Sequence, residues 1–336
     1  MKKILAVLLA ALMLFTLAAC GDNSDDTNTT NGDADKAPET KVFANIVTGT
    51  GGNQGTYYAF TTAAGQVLST DDYKFVVQAT GGSQANIEMI EDGEAQFAIV
   101  QNDVMNYAYE GTNGFSAPIT CFSAVGCIYA EVCQVIATKA SGIKTIADLK
   151  GKNVAVGDAG SGVYYNATQI LAAAGLDIDK DINKTAAGFG DAATLLKDGA
   201  IDAAFITAGA PTPAVSDLAT STDIVAVDLG EEVIAKLMND YPFYAKHEYT
   251  SADYAFISDD ETASTVAIMA TFIVTNDMSE DQVYEITKNL WEKQEDIAVA
   301  HAKGKEMSKD TAAAAIGNVP LHPGAEKYYK EIGVIA

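Results

Sequence analysis

The sequence predicts an α/β protein of two similar lobes, each built on a mainly parallel sheet, facing one another across a cleft. Three observations predict it. A strand, glycine-rich turn and helix unit occurs twice, the unit following it is repeated at nearly the same spacing, and two long apolar stretches could join the halves. The first unit, Val47 to Tyr58, returns as Val156 to Tyr165, with Tyr57-Tyr58 and Tyr164-Tyr165 lying 107 positions apart. In the second unit Asp92-Gly93 and Asp198-Gly199 lie 106 apart. Agreement of two blocks to within one residue argues for an internal duplication.

In chain order, Lys2 and Lys3 precede an apolar run from Ile4 to Ala19, short for a bilayer span and followed by Cys20-Gly21. This reads as a signal peptide over residues 1–19, with Leu17-Ala18-Ala19-Cys20 similar to a lipobox whose cysteine is acylated. Residues 20–40 are mostly Asp, Asn, Thr and Gly, too polar to bury a core, and read as a lipidated flexible linker to a membrane surface. Loss of Lys2 and Lys3 with the leader moves the formal charge from −24 to −26. All 21 basic residues are lysine, and so acidic a chain repels phosphate backbones, which excludes nucleic-acid binding.

Val42 to Val47 reads as the first strand, then the turn at Thr48–Gly55 and a helix to about Ser69. Phe75-Val76-Val77, Gly81-Gly82-Ser83, a helix to about Glu91 and the strand Phe97–Val100 follow. The second copy runs Val154–Val156, a helix to about Ala174, Thr185-Ala186-Ala187, Gly188-Phe189-Gly190, a helix to about Lys197, and the strand Ala203–Ile206. Short connections of this order give parallel strands wrapped by helices.

Ile128–Thr138 and Thr265–Thr275 suit hinge strands, which places lobe I at 41–132 plus 250–336 and lobe II at 133–249. Thr145 to Gly151 reads as a capped short helix opening the second lobe. Ser279 with Gln282 caps a helix to about His301, and Pro323 opens a last helix bearing Tyr328 and Tyr329. Cys121 and Cys127 either pair across a turn or, with Cys133, stay reduced.

In facing α/β lobes, ligands bind beyond the carboxyl ends of the strands, where helix N-termini present unpaired N–H groups. In a chain without arginine, that is the natural way to hold a carboxylate. One wall of the site is expected from Thr50, Gly51, Gly52, Tyr57 and Tyr58, one tyrosine of each pair being core. Gly82 and Ser83 either extend it or simply cap a helix. Ala159, Gly160, Ser161 and Gly162 are expected to cradle the anionic group. Thr207, Ala208 and Gly209 follow a buried strand, with Gln101 in the matching place of the first lobe. Asp103 is either a partner for a ligand ammonium or a helix N-cap.

The glycine loops lack both the dinucleotide spacing and a terminal Gly-Lys-Ser/Thr, and Gly160-Ser161-Gly162 lacks the outer glycines of a nucleophile elbow. His247, His301 and His322 are scattered, and no cysteine spacing fits zinc. No enzyme, cofactor or metal is expected.

Thr48–Tyr58, Ala79–Ser83, Gly93–Tyr109, Ser141–Gly162, Asp198–Pro213 and Leu321–Tyr329 together resemble the TAXI-type solute receptors of TRAP transporters. The resemblance implies a bilobed, periplasmic-binding-protein-like fold of type II that closes on a small carboxylate or amino acid such as glutamate or glutamine. It implies delivery to a TRAP permease from an extracytoplasmic, lipid-anchored position. Alternatives are a receptor of an ABC importer, a sensor with the same fold, and a surface antigen or adhesin.

Overall fold

A computed structural model describes residues 40–258 and 263–336. The leader, Cys20 and the linker as far as residue 39 lie outside the described residues.

The first copy of the repeat forms β1 (Asn45–Gly49), α1 (Thr56–Leu68), β2 (Lys74–Gln78), α2 (Ser83–Glu91) and β3 (Phe97–Gln101), followed directly by α3 (Asn102–Glu110). The 17-residue β4 (Phe122–Thr138) leads to the second copy: β5 (Asn153–Ala155), α4 (Gly162–Ala173), β6 (Asn183–Thr185), α5 (Phe189–Lys197) and β7 (Ala203–Ala208). Then come α6 (Pro213–Ala219), β8 (Ile224–Ala226), α7 (Glu231–Asp240), β9 (Ala245–Glu248) and β10 (Ser264–Thr275). The chain ends with α8 (Glu280–Glu292), α9 (Gln294–Ala300), α10 (Lys309–Ala312) and α11 (Pro323–Glu331).

The strands lie in the order β2-β1-β3-β10-β4-β7-β5-β6, with β8 beside β4 and β9 beside β10. β2-β1-β3 and β6-β5-β7 are parallel triplets of the same internal order, one at each end of the sheet. This is the duplication expressed as structure. Between these two wings run β10 and β4, antiparallel to each other and to the wing strand each adjoins. Their near-continuous apolar sequence fits strands covered on both faces. Phe60, Phe97, Phe272 and Trp291 pack on one face of the first wing, and Ile87, Val104, Met105 and Phe122 on the other. The second wing is covered likewise by Ile170 and Leu237 on one side and Leu196 and Val215 on the other. Two helical layers around a sheet are the α/β class expected.

Several boundaries differ from expectation. The first strand begins at Asn45 because residues 41–43 lie against α8 and its N-cap loop: Lys41 N–H donates to Asp277 O at 2.6 Å, and Gln282 holds both backbone groups of Phe43. Val42 is left 75% exposed. The Gln282 side chain is therefore taken, and only half of the expected capping box forms, Ser279 Oγ accepting from Gln282 N–H at 3.3 Å. The helix expected to reach His301 breaks at Lys293, whose φ of −100° and ψ of 19° separate α8 from α9. Thr145 and Asp148 form a complete capping box on a single 3-10 turn, Ile146–Leu149. Cys121, Cys127 and Cys133 are free thiols.

Candidate functional site

The strand ends of both wings open into one cavity of about 220 Å³. Gly55, Gly82, Ser161 and Gly188, the N-cap residues of α1, α2, α4 and α5, all line it, and none makes a side-chain capping bond. Four positive helix ends thus meet at one space. Of their first-turn N–H groups, Ala85 is engaged, donating to Gly160 O at 3.1 Å. Among the described residues no lysine or histidine lines the cavity; the titratable lining groups are Tyr57, Glu131, Asp158 and Asp191. The arrangement suits a small anionic group held by backbone N–H groups.

The wings touch around this space. Tyr165 OH donates to Gln84 Oε1 at 2.7 Å, Thr56 Oγ1 to Gly209 O at 2.8 Å, and Ala214 N–H to Gln54 O at 3.3 Å. The approach needs glycine at two places. A Cβ on Gly162 would collide with the Gln101 amide, and one on Gly81 would come within 2.5 Å of Ala159 O.

Beneath the cavity, Asn166 joins the wings. Its Oδ1 accepts from Gln101 Nε2 at 2.7 Å and Thr207 Oγ1 at 2.9 Å, and its Nδ2 donates to Asp103 Oδ2 at 3.0 Å and Tyr244 OH at 2.9 Å. This leaves Gln101 Oε1 buried without a partner, as is Ser161 Oγ. Both residues line the cavity. An orphaned buried polar atom costs about 1–3 kcal/mol.

Of the residues expected at the site, Gly51, Gly52, Tyr57, Gly82, Ser83, Gln101, Ser161, Gly162, Thr207 and Ala208 are brought to the cavity wall. The others are not. Thr50 is fully buried and ties strands together, its Oγ1 donating to Gln78 O at 2.7 Å. Tyr58 is a half-buried residue of α1 outside the lining, and Gly209 packs behind the wall against Lys303 and Tyr129. Ala159 and Gly160 face an outer groove beside Tyr164 and Lys184, because a turn closed by Ser161 N–H to Asp158 O at 3.2 Å swings them away. Asp103 lies one layer below: Val104 N–H at 2.8 Å and Asn166 occupy its carboxylate. Burial pushes that carboxyl up to about 7.

The expected set lacked α5's N-terminus, Gly188 to Asp191, though the repeat pairs Gly188-Phe189-Gly190 with Gly81-Gly82-Ser83. It also lacked Glu131, the one carboxylate within the apolar sequence of β4. Glu131 is 1% exposed; Tyr57 OH donates to its Oε2 at 2.6 Å, and burial pushes its carboxyl up to about 8. Among the described residues no metal-ligating cluster occurs, and no helix is long and apolar enough to cross a membrane. His301 and His322 serve their own chain, each Nδ1 accepting a backbone N–H two residues on.

The model of the NMT1-like family matches residues 48–333. Among solved structures, the alkanesulfonate-binding protein SsuA from Xanthomonas axonopodis pv. citri, bound to MOPS, superposes with a TM-score of 0.50 at 16% identity, covering 86% of this chain and 84% of that one. A Streptococcus mutans chain, described with glutathione import via GshT and the cystine ABC importer TcyBC, superposes with a TM-score of 0.51 at 9% identity, covering 80% and 98%. At such identities the likeness is one of fold, and that fold is the type II periplasmic-binding architecture.

Proposed function

The chain belongs to the NMT1-like family, and from that premise we propose that it is an extracytoplasmic solute-binding protein of nutrient import. It captures a small carboxylate in the cavity and does no chemistry on it. The observation that carries this reading is the meeting of four uncapped helix N-termini at one cavity, with no cationic side chain among the described residues that line it. Binding and release would proceed by hinging on β4 and β10, with 41–132 plus 250–336 as one lobe and 133–249 as the other.

The membrane partner in this reading is an ABC importer, in place of the TRAP permease that the sequence resemblance implies. The S. mutans neighbour is described together with such an importer, and SsuA is named for binding alkanesulfonates, also small organic anions. The TAXI-like stretches Gly93–Asp103 and Asp202–Pro213 fall on β3, β7 and the turns and helix starts flanking them. Those are elements that any receptor of this fold must build, so they support the fold more than the partner. A gene for an ATPase beside this one favours the ABC reading; a many-spanning permease gene without an ATPase favours TRAP. The anchor in this reading is Cys20.

The test is thermal unfolding of full-length protein, stripped of solute by unfolding and refolding, against amino acids, simple carboxylates and sulfonates. A solute at a hundred times its Kd adds about 2.7 kcal/mol of stability. A shift with an acid supports the receptor; no shift across the whole set overturns it and returns the adhesin reading.

A further inference from the structure

Glu131 stands where a carboxylate is hard to keep ionised. It interrupts the apolar sequence of β4, is 1% exposed, and forms part of the cavity wall. Among the described residues a single hydrogen bond reaches it, from Tyr57 OH to Oε2 at 2.6 Å. Oε1 receives none, and it is not one of the sealed orphan atoms that Gln101 Oε1 and Ser161 Oγ are. Resting on the receptor reading, we infer that Glu131 meets the solute as a neutral acid, carrying its proton on Oε1 and donating it in a hydrogen bond to an oxygen of the captured anion. Capture is then coupled to a proton.

Tyr57 decides which oxygen carries the proton. A hydroxyl donating to Oε2 makes that oxygen an acceptor, which leaves the proton of the neutral acid to Oε1. A buried carboxylate needs a counter-charge or several donors, and without them it keeps its proton. Lys303, the cation whose charge reaches Glu131, is bound to Glu306 Oε1 at 2.6 Å. Among the described residues no ion pair joins Lys303 to Glu131. An anionic solute sharpens the choice. Beside an ionised Glu131 its oxygen would meet a second negative charge in a buried space. A neutral acid offers the same oxygen a charge-assisted hydrogen bond, adding to the donors at the helix ends.

The electrostatics agree. The charged and titratable groups around Glu131 are Tyr57 on α1, Asp103 on α3, Tyr129 and Cys133 on its own strand, and Lys303 with Glu306 beyond α9. Asp158 and Asp191 line the same cavity from the other wing. Burial is the largest influence and raises the carboxyl to about 8; Asp103 adds to the rise, while the Tyr57 hydrogen bond and Lys303 oppose it. A solute oxygen accepting from Oε1 would raise it further. Below about pH 8 the proton is already present, so Glu131 gives affinity no pH dependence there. Above that pH, binding takes a proton from water, and affinity falls by up to about tenfold per pH unit.

The test is calorimetric titration of the stripped full-length protein with propionate, succinate, glutarate and L-glutamate, from about pH 6.5 to about pH 9, in buffers of differing ionisation enthalpy. For an acid that binds, the expected result is level affinity below about pH 8, a fall above it, and proton uptake on binding there. Glu131→Gln, whose amide donates but does not titrate, should lose both the fall and the uptake. Glu131→Leu, which cannot donate, should bind the same acid at least about tenfold more weakly near neutral pH. If the variants fail to fold, the wild-type pH profile and proton count decide alone. Affinity that stays level across the range, rises with pH, or falls equally in Glu131→Gln overturns the neutral acid and leaves the carboxylate receptor standing. No binding of any of these acids at any pH overturns both.

Discussion

Gln101, the last residue of β3, donates its side-chain N–H to Asn166 of α4 at 2.7 Å, so a buried amide pair is among the contacts that join the two wings of the sheet. Asn166 is 0% exposed and holds Asp103, Thr207 and Tyr244 as well. The same bond leaves the Gln101 carbonyl packed against Gly162, so the contact that joins the wings also fixes how closely α4 approaches β3.

Asn166→Ala should therefore remove the joint and strand several buried partners at once. The expected cost is about 2–4 kcal/mol of unfolding free energy in a urea titration, together with weaker solute binding. A loss under about 0.5 kcal/mol would mean the wings do not rest on this network.

Gly162→Ala tests the close approach of the two wings. Its Cβ would collide with the Gln101 amide, a group from the other wing, so the clash exists only while the wings are together. Relieving the clash draws Gln101 away from Asn166 on the same helix, so the solute-free protein should lose stability up to the amount expected for Asn166→Ala. Affinity should drop by about tenfold or more. Unchanged affinity would show that closure tolerates the methyl group.

Stability should depend on pH with a definite sign. Glu131 and Asp103 have carboxyls raised by burial to about 8 and about 7, well above the unfolded values. The native state thus keeps protons that the unfolded chain releases, so stability is greatest near the unfolded carboxyl pKa and declines as pH rises toward 8. Glu131→Gln should flatten this decline by up to one proton, about 1.4 kcal/mol per pH unit. A slope identical to wild type would mean that Glu131 titrates normally in the folded protein.

Much of this was legible before the fold was known, for physical reasons. Glycine-rich turns interrupt apolar strand runs so sharply that β1–α1 and β5–α4 could be matched by eye, and the sheet repeats the match in its strand order. The cavity's glycines followed from the same turns. Which side of a turn faces inward did not: Ala159 and Gly160 sit next to Ser161 in sequence, but with Gly160 at φ +76° the loop turns them outward. Glu131 was hidden because its partner, Tyr57, lies 74 positions away, and a lone acid in an apolar run carries no local signature. The break at Lys293 has no glycine or proline to announce it.

Cys20→Ala tests the anchor. The wild-type protein should fractionate with membranes and the variant should appear in the soluble extracytoplasmic fraction. Equal membrane association of both would remove lipidation at Cys20 as the attachment.

Small-angle X-ray scattering of the stripped protein, with and without a solute that raises its melting temperature, tests capture by closure most directly. The account predicts a smaller radius of gyration on adding the solute to wild type and none of that change in Gly162→Ala. A stabilising solute that leaves the wild-type radius unchanged would contradict it.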